Sequence, residues 1–287
     1  MGRWVDLHAH STASDGSLAP RELIGYACRK KAAALALTDH DTLEGLEEAL
    51  QAGKESRLEV IPGLEISAEY SRGTMHILGY YIDRTHSGLN EDLNILQEAR
   101  KNRNPRIIGK LQALGFPVAY EEIDSQVTGQ IGRPHIAKLL LKKGHVSSLD
   151  EAFQKYLAKG APAYVDKFRF PPDKAIDMIH QAGGIAVLAH PFSLNCPSLK
   201  DLYDLVKELK DCGLQGMEVL YPKHSEEQTR DYFSLVKELK LLYTGGSDFH
   251  GNNKENTDLL TGRGDLRVPY SIVEDLKSSR AGRQTVQ

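Results

Sequence analysis

Six of the chain's eleven histidines stand in short, acid-flanked motifs of metal-binding type. They read Asp6-Leu7-His8-Ala9-His10, Thr38-Asp39-His40-Asp41, Met75-His76, Ala189-His190-Pro191 and Ser247-Asp248-Phe249-His250. Ser14-Asp15-Gly16 and Gly63-Leu64-Glu65 add two carboxylates. A His-X-His pair on an extended segment projects both imidazoles to one side, because side chains alternate with period two. One ion can therefore reach His8 and His10, and Asp248 and His250 repeat the spacing. A lone histidine is more often a packing residue, but a set of nine donors of these types is a metal centre. Mixed imidazole and carboxylate donors suit Mn, Fe or Zn better than Mg or Ca, and the lack of cysteine donors argues against structural zinc. Nine donors exceed what two tetrahedral ions need, so two to three divalent ions are expected. Paired ions about 3.5–4 Å apart favour phosphoryl displacement.

Such a centre needs elements that bring distant motifs together. Short apolar runs read as seven strands: Trp4–His8, Ala34–Leu37, Val60–Leu64, Met75–Tyr81, Ile185–Ala189, Gly216–Leu220 and Leu241–Thr244. Helices are expected from Pro20 to about Lys31, after a Thr42 cap, and near 172–182, 199–212, 225–240 and 271–279. Strands alternating with helices imply an α/β fold with a mainly parallel sheet, here a (β/α) barrel one unit short of eight. Active sites of such barrels lie at the C-terminal strand ends. The motifs fall there, with Glu65 ending strand three and His76 within strand four. Between strands four and five the alternation stops. Helices near Leu93–Leu114, Pro134–Lys143 and Leu149–Leu157 read as an inserted helical subdomain capping the barrel mouth. The expected division is 1–92 and 169–287 for the barrel and 93–168 for the insert.

Charge supports a phosphate-handling site. The 287-residue chain carries a formal −3, yet residues 95–170 hold 13 Lys and Arg against 7 Asp and Glu, a net +6, leaving −9 for the rest. A basic segment beside an acidic, histidine-rich body provides a phosphate-attracting wall. Arg133, in Gly132-Arg133-Pro134-His135, is the leading phosphate clamp, with His135 beside it. One of Arg100, Arg103 and Arg106 is expected to reach the site, and Lys159 and Tyr164 flank a turn at its mouth. His224, after strand six, is a candidate general acid. Asp39 and Asp41 flank His40 and can orient it. No apolar run approaches the ~20 residues of a membrane span. The start runs directly into a strand without a signal-type apolar region, and Cys28, Cys196 and Cys212 read as reduced. A cytoplasmic protein with no membrane and no obligate protein partner is expected.

The ordered motifs His8-Ala9-His10-Ser11, Asp15-Gly16, Thr38-Asp39-His40-Asp41, Gly63-Leu64-Glu65, His76, His190-Pro191 and Ser247-Asp248-Phe249-His250 resemble those of the PHP (polymerase and histidinol phosphatase) superfamily. Within it, the chain is similar to phosphoesterases with an inserted helical domain, including 3′,5′-nucleoside bisphosphate phosphatases and 5′-to-3′ exoribonucleases. Asp15 stands where several other members carry a histidine. The resemblance implies a distorted seven-stranded barrel and a trinuclear centre. One ion would take His8, His10, Glu65 and Asp248. A second would take Glu65, His76 and His190, with Glu65 bridging, and a third Asp15, His40 and His250. The expected reaction is hydrolysis of a nucleotide phosphomonoester by a metal-activated hydroxide, with a 3′,5′-bisphosphate as substrate and AMP as product. Stepwise cleavage of short 5′-phosphorylated RNA is the alternative. Amidohydrolase chemistry, which in such barrels uses a bridging lysine, and a non-catalytic metal-stabilised module fit the residues less well.

Overall fold

In the computed structural model, residues 2–123, 129–254 and 256–284 are described. Seven strands form one sheet in chain order: β1 (Val5–Ala9), β2 (Ala34–Leu37), β3 (Glu59–Ala68), β4 (Met75–Tyr80), β5 (Ile185–Leu188), β6 (Gly216–Leu220) and β7 (Leu242–Gly245). Their alternate residues enter two apolar clusters. Val5, Ala36, Leu78, Tyr80 and Val187 line the inner one, which Val268, Ile272 and Leu276 also join. Leu37, Leu64, Ile77 and Leu188 face outward onto helices. Those helices are α1 (Pro20–Arg29), α2 (Leu46–Ser56), α6 (Pro172–Gln181), α7 (Leu199–Asp211) and α8 (Glu226–Glu238), and α9 (Ser271–Gln284) follows the last strand. Burial on both faces explains why the strands read as unbroken apolar runs. The sheet curls until its first and last strands meet. His10 N–H donates to the Phe249 carbonyl at 2.9 Å, and Phe249 N–H donates to the His8 carbonyl at 3.3 Å.

Three sequence expectations need correction or refinement. The sheet is mainly parallel, as expected, but β4 runs antiparallel to both β3 and β5. Only Glu69–Thr74 separates β3 from β4, too few residues for the crossover that parallel neighbours require. Reversal puts the start of β4, and hence His76, at the same barrel mouth as the other motifs. Glu65 does not end its strand, since β3 continues to Ala68. What ends is its parallel partner: β2 pairs with β3 as far as Pro62, and pairing with β4 begins at Gly63. Thr42 does not cap a helix. It accepts from the Glu44 N–H at 3.2 Å in a turn, and α2 begins at Leu46.

Helix α3 (Ser87–Ala113) begins earlier than expected, and the boundary at 93 falls within it. Its Leu89, Leu93 and Leu96 pack into the barrel's outer cluster. Its Ile107, Ile108 and Leu111 belong to a separate cluster with Ile136, Leu140 and Leu157. Ile136 and Leu140 come from α4 (Arg133–Lys142), and Leu157 from the π-helical turn Phe153–Leu157 that continues α5 (Leu149–Ala152). Arg100, Arg103 and Asn104 are buried on α3 between the two clusters.

Candidate metal centre

A β-bulge aims the first two ligands. Asp6 pairs with Leu35 of β2 but Ala9 pairs with Leu37, so β1 carries one extra residue. An extra residue reverses the facing of the residues after it. Leu7 joins the inner cluster, and His8 and His10 nevertheless also point inward, to Glu65. At the opposite seam, a Cβ on Gly246 would lie 2.4 Å from the His8 backbone nitrogen. Only glycine lets β7 deliver Asp248 and His250 that close to β1. His190 (φ 25°) and Asp248 (φ 53°) adopt left-handed backbone conformations. Such conformations cost about 1–3 kcal/mol and cluster at functional sites.

All nine sequence-derived donors converge. Glu65 is the hub: Oε1 lies 2.8 Å from His76 Nδ1 and 3.0 Å from His190 Nε2. Its Oε2 lies 2.9 Å from His40 Nδ1 and 3.3 Å from both His8 Nε2 and His10 Nε2. Asp248 Oδ1 is 3.3 Å from His10 Nε2 and 3.6 Å from His8 Nε2. Asp15 Oδ1 is 3.2 Å from His250 Nε2. The donor atoms fall into four overlapping groups: His10, Asp15, His40 and His250; His8, His190 and Asp248; His8, His10 and Glu65; and His40, Glu65 and His76. His10 and His40 are thus shared more widely than a strict three-way partition assigns.

The donor set fits divalent ions. His8 Nε2, both His10 ring nitrogens, His40 Nδ1 and Glu65 Oε2 are buried without a hydrogen-bond partner. Buried polar atoms left unpaired are costly, and a cation among them would satisfy several at once. Burial, with His250 and His40 nearby, pushes His10 down to about 3, so the ring is neutral at neutral pH and one of its nitrogens has a free lone pair. Burial also opposes charge on His40, but Glu65 and Asp15 outweigh it and push it up to about 9. A proton and a divalent ion are alternative ways to neutralise those carboxylates. Burial also works against charge on Glu65, yet His40, His76 and His8 hold its carboxyl well below the usual range.

The supporting shell differs from the sequence reading. Asp39 does not orient His40. Its carboxylate accepts from Ser11 N–H (2.7 Å), Ser11 Oγ (2.6 Å) and Ser14 Oγ (2.6 Å), and so shapes the loop carrying Asp15. Asp41 accepts from Ser67 N–H (2.8 Å), Arg100 Nη2 (2.6 Å) and Lys167 Nζ (2.7 Å), tying the basic insert to the barrel. Glu218, not singled out as a site residue, meets His8 Nδ1 at 3.0 Å and accepts from the His190 N–H at 2.8 Å. A carboxylate inside the apolar run Met217-Glu218-Val219 was the available signal, since charges are rarely fully buried unless paired. Tyr221, also missed, donates to Asp248 Oδ2 at 2.7 Å. His224 is not brought to the donors. It sits behind the Tyr221 ring with Nδ1 on the Val219 carbonyl, and burial lowers its pKa.

A cleft of 480 Å³ opens from Asp15, His40 and His76 into the insert. Arg100, Arg103, Arg133, Lys159, Lys167 and Arg169 line it, with Tyr164. Arg133 Nη1 donates to the Leu157 carbonyl at 2.9 Å, and its guanidinium lies over the Phe153 and Tyr164 rings. Burial and neighbouring cations, Arg100 foremost, push Arg103 down. Burial, with Arg100 adding to it, also pushes Lys167 down to about 7, although Asp41 counteracts. Cations crowded this way favour an anion between them. Lys159 donates to the Ser71 carbonyl (2.5 Å) and Tyr164 to Asp166 (2.9 Å). His135 turns back to accept from the Gly132 N–H at 2.9 Å, and Arg106 is exposed. Lys167 and Arg169 were missed. The alternation Asp166-Lys167-Phe168-Arg169-Phe170 hinted that both cations share one face.

The model of the PHP domain family matches residues 6–158. A 5′-3′ exoribonuclease of Haemophilus influenzae is 38% identical over 250 residues, covering 87% of this chain and 91% of that protein. A 3′,5′-nucleoside bisphosphate phosphatase of Chromobacterium violaceum is 34% identical over 259 residues, 89% and 90% of the two chains. The solved structure of a metal-dependent phosphoesterase from Bifidobacterium adolescentis superposes with a TM-score of 0.85 at 28% identity, covering 96% of this chain and 95% of that one. With the convergent donors and the matched fold, these likenesses place the chain in the PHP domain family as a metal-dependent phosphoesterase.

Proposed function

We propose that this phosphoesterase removes the 3′-phosphate of a 3′,5′-nucleoside bisphosphate, with AMP as one product. One observation carries the reading: the cation-lined cleft opens directly onto the metal donors Asp15, His40 and His76. A substrate with two phosphates is suited to that geometry, one phosphate at the donors and the other held by Arg133 and its neighbours. Bound at the nine donors, two to three divalent ions would activate water and offset charge on the reacting phosphate. Manganese is the first choice for this donor mixture, with iron or zinc as alternatives. Around that centre, Glu218 and Tyr221 fix His8, His190 and Asp248, while Asp41 holds Arg100 and Lys167 in the cleft wall. Strand β4 offers His76 where amidohydrolase-type barrels use a bridging lysine, and Glu65 would supply the bridge instead, which disfavours amide hydrolysis. The full donor set likewise disfavours a non-catalytic module. Three free cysteines accord with a cytoplasmic setting.

Phosphate release from pAp, 3′-AMP and an aryl phosphate, with manganese supplied, tests the reading. Removing one charge-assisted hydrogen bond costs about 1.5–3 kcal/mol, so kcat/KM on pAp should exceed that on 3′-AMP by at least about tenfold. Equal rates on both would remove the anchoring role of the cleft. The second reading, cleavage of short 5′-phosphorylated RNA, uses the same centre on a diester.

A further inference from the structure

Asp41 lies where the metal centre and the basic insert meet. It follows the ligand His40, and its backbone is locked to the Glu65 strand. Its N–H donates to the Glu65 carbonyl at 2.9 Å, and the Glu65 N–H donates to the Asp39 carbonyl at 3.1 Å. The carboxylate is pinned on the same strand, accepting from Ser67 N–H at 2.8 Å and Ser67 Oγ at 3.0 Å. Ser67 stands opposite the ligand His76 in the β3–β4 ladder. The barrel end of Asp41 is therefore fixed against His40, Glu65 and His76.

From this fixed point Asp41 reaches into the insert. Residue 41 is left-handed, with φ 54°, a conformation that aspartate tolerates better than most residues. Its Oδ2 accepts from Arg100 Nη2 at 2.6 Å and from Lys167 Nζ at 2.7 Å. Its carbonyl accepts from Gln97 Nε2 and Gln130 Nε2, each at 3.1 Å. Arg100 and Lys167 come from opposite ends of the insert, yet both line the cleft with Asp15, His40 and His76. Asp41 does not exhaust the cleft's donors. The buried Nε atoms of Arg100 and Arg103 have no hydrogen-bond partner, which leaves them for an anion. One buried, charge-assisted joint thus fixes how far the cleft's cations stand from the metal donors.

We propose that Asp41 gauges the distance between the anchoring and the reacting phosphate, so that the enzyme accepts a 3′,5′-bisphosphate and rejects its 2′,5′ isomer. This deepens the bisphosphate reading above and rests on it. Moving one phosphate from O3′ to O2′ keeps its charge and chemistry but changes its distance and direction from the 5′-phosphate. Charge attraction to the cleft does not tell the isomers apart. A fixed spacing does, because about 1 Å of misplacement at the reacting atoms costs about a hundredfold. A loosened joint would leave the cations in the cleft but free them to follow either isomer. Binding would persist while alignment was lost, so the cost falls on kcat rather than KM.

The test follows kcat and KM for adenosine 3′,5′-bisphosphate, its 2′,5′ isomer and an aryl phosphate, with manganese supplied, alongside elemental analysis. Wild type should favour the 3′,5′ isomer at least about tenfold in kcat/KM. Asp41→Asn keeps the side chain's shape and removes its charge. It should lower kcat on the 3′,5′ isomer at least about tenfold without raising KM, and bring the two isomers within about threefold of each other. Aryl phosphate turnover should fall less, and bound metal should remain. Ser67→Ala, which loosens only the barrel end and removes no cation, should narrow the isomer ratio to a smaller extent. Wild type indifferent to the isomers overturns the gauge. So does Asp41→Asn if it retains the wild-type ratio, raises KM with kcat preserved, or loses its metal. Should Asp41→Asn fail to fold, an unchanged ratio in Ser67→Ala overturns it. Wild type active on the aryl phosphate but on neither bisphosphate, or faster on the 2′,5′ isomer, would instead overturn the reading underneath.

Discussion

Glu65 faces five imidazoles within 3.3 Å, from His8, His10, His40, His76 and His190. Divalent ions held by those imidazoles would repel one another without an anion between them. Glu65→Ala should therefore lower bound metal by at least one ion per chain and reduce phosphate release by more than about a thousandfold. Elemental analysis alongside the phosphatase assay checks this, and unchanged metal content would refute the hub assignment. Removing His250 should be milder. His250 meets Asp15 and Asp248 but not Glu65, so His250→Ala should cost about one ion and leave the Glu65-centred donors loaded. Loss of every ion in that variant would show that the groups bind as one unit. Arg133→Ala should lower kcat/KM on pAp about 10- to 150-fold, and less on an aryl phosphate, which offers the cleft no second anion. The donors themselves were legible as residue types because acid-flanked histidines have few other uses. Asp39 was legible as a charged neighbour of His40, but its partners Ser11 and Ser14 could be read only from the folded loop.

At the scale of elements, the centre depends on where strands depart from regularity. The bulge in β1 turns His8 inward beside Leu7, and the glycine at 246 lets β7 lie against it. Gly246→Ala would force the seam apart and should destabilise the protein by about 1–3 kcal/mol. Because His8 and Asp248 sit on its two sides, metal content should fall with stability. Urea unfolding and elemental analysis on the same preparation would reveal both, and wild-type values for each would show that the seam yields without cost. Helix α3 links the two apolar clusters and carries Arg100 and Arg103 between them, so its packing sets the distance between cationic cleft and donors.

For the molecule as a whole, metal should act as a ligand of the native state. An ion held at a hundredfold excess over its Kd adds about 2.7 kcal/mol, which for a chain of this size raises Tm by about 4 °C. Scanning calorimetry with manganese and then with chelator should show that difference while the protein stays folded in both, since its apolar clusters do not require metal. Unfolding on chelation would make the centre structural as well as catalytic. The sequence alone determined the nine convergent donor-type residues, the seven strands and the basic charge of residues 95–170, because donor chemistry, apolar runs and charge are local properties written residue by residue. Tertiary structure decided what depends on pairing. It reversed β4 so that His76 reaches the mouth, carried β3 beyond Glu65, and used a bulge to swing His8 inward. It also took His224 out of the site behind Tyr221 and brought Glu218, Lys167 and Arg169 into it. Register, facing and the company a buried charge keeps arise from contacts between residues far apart in the chain, and no window of sequence contains them.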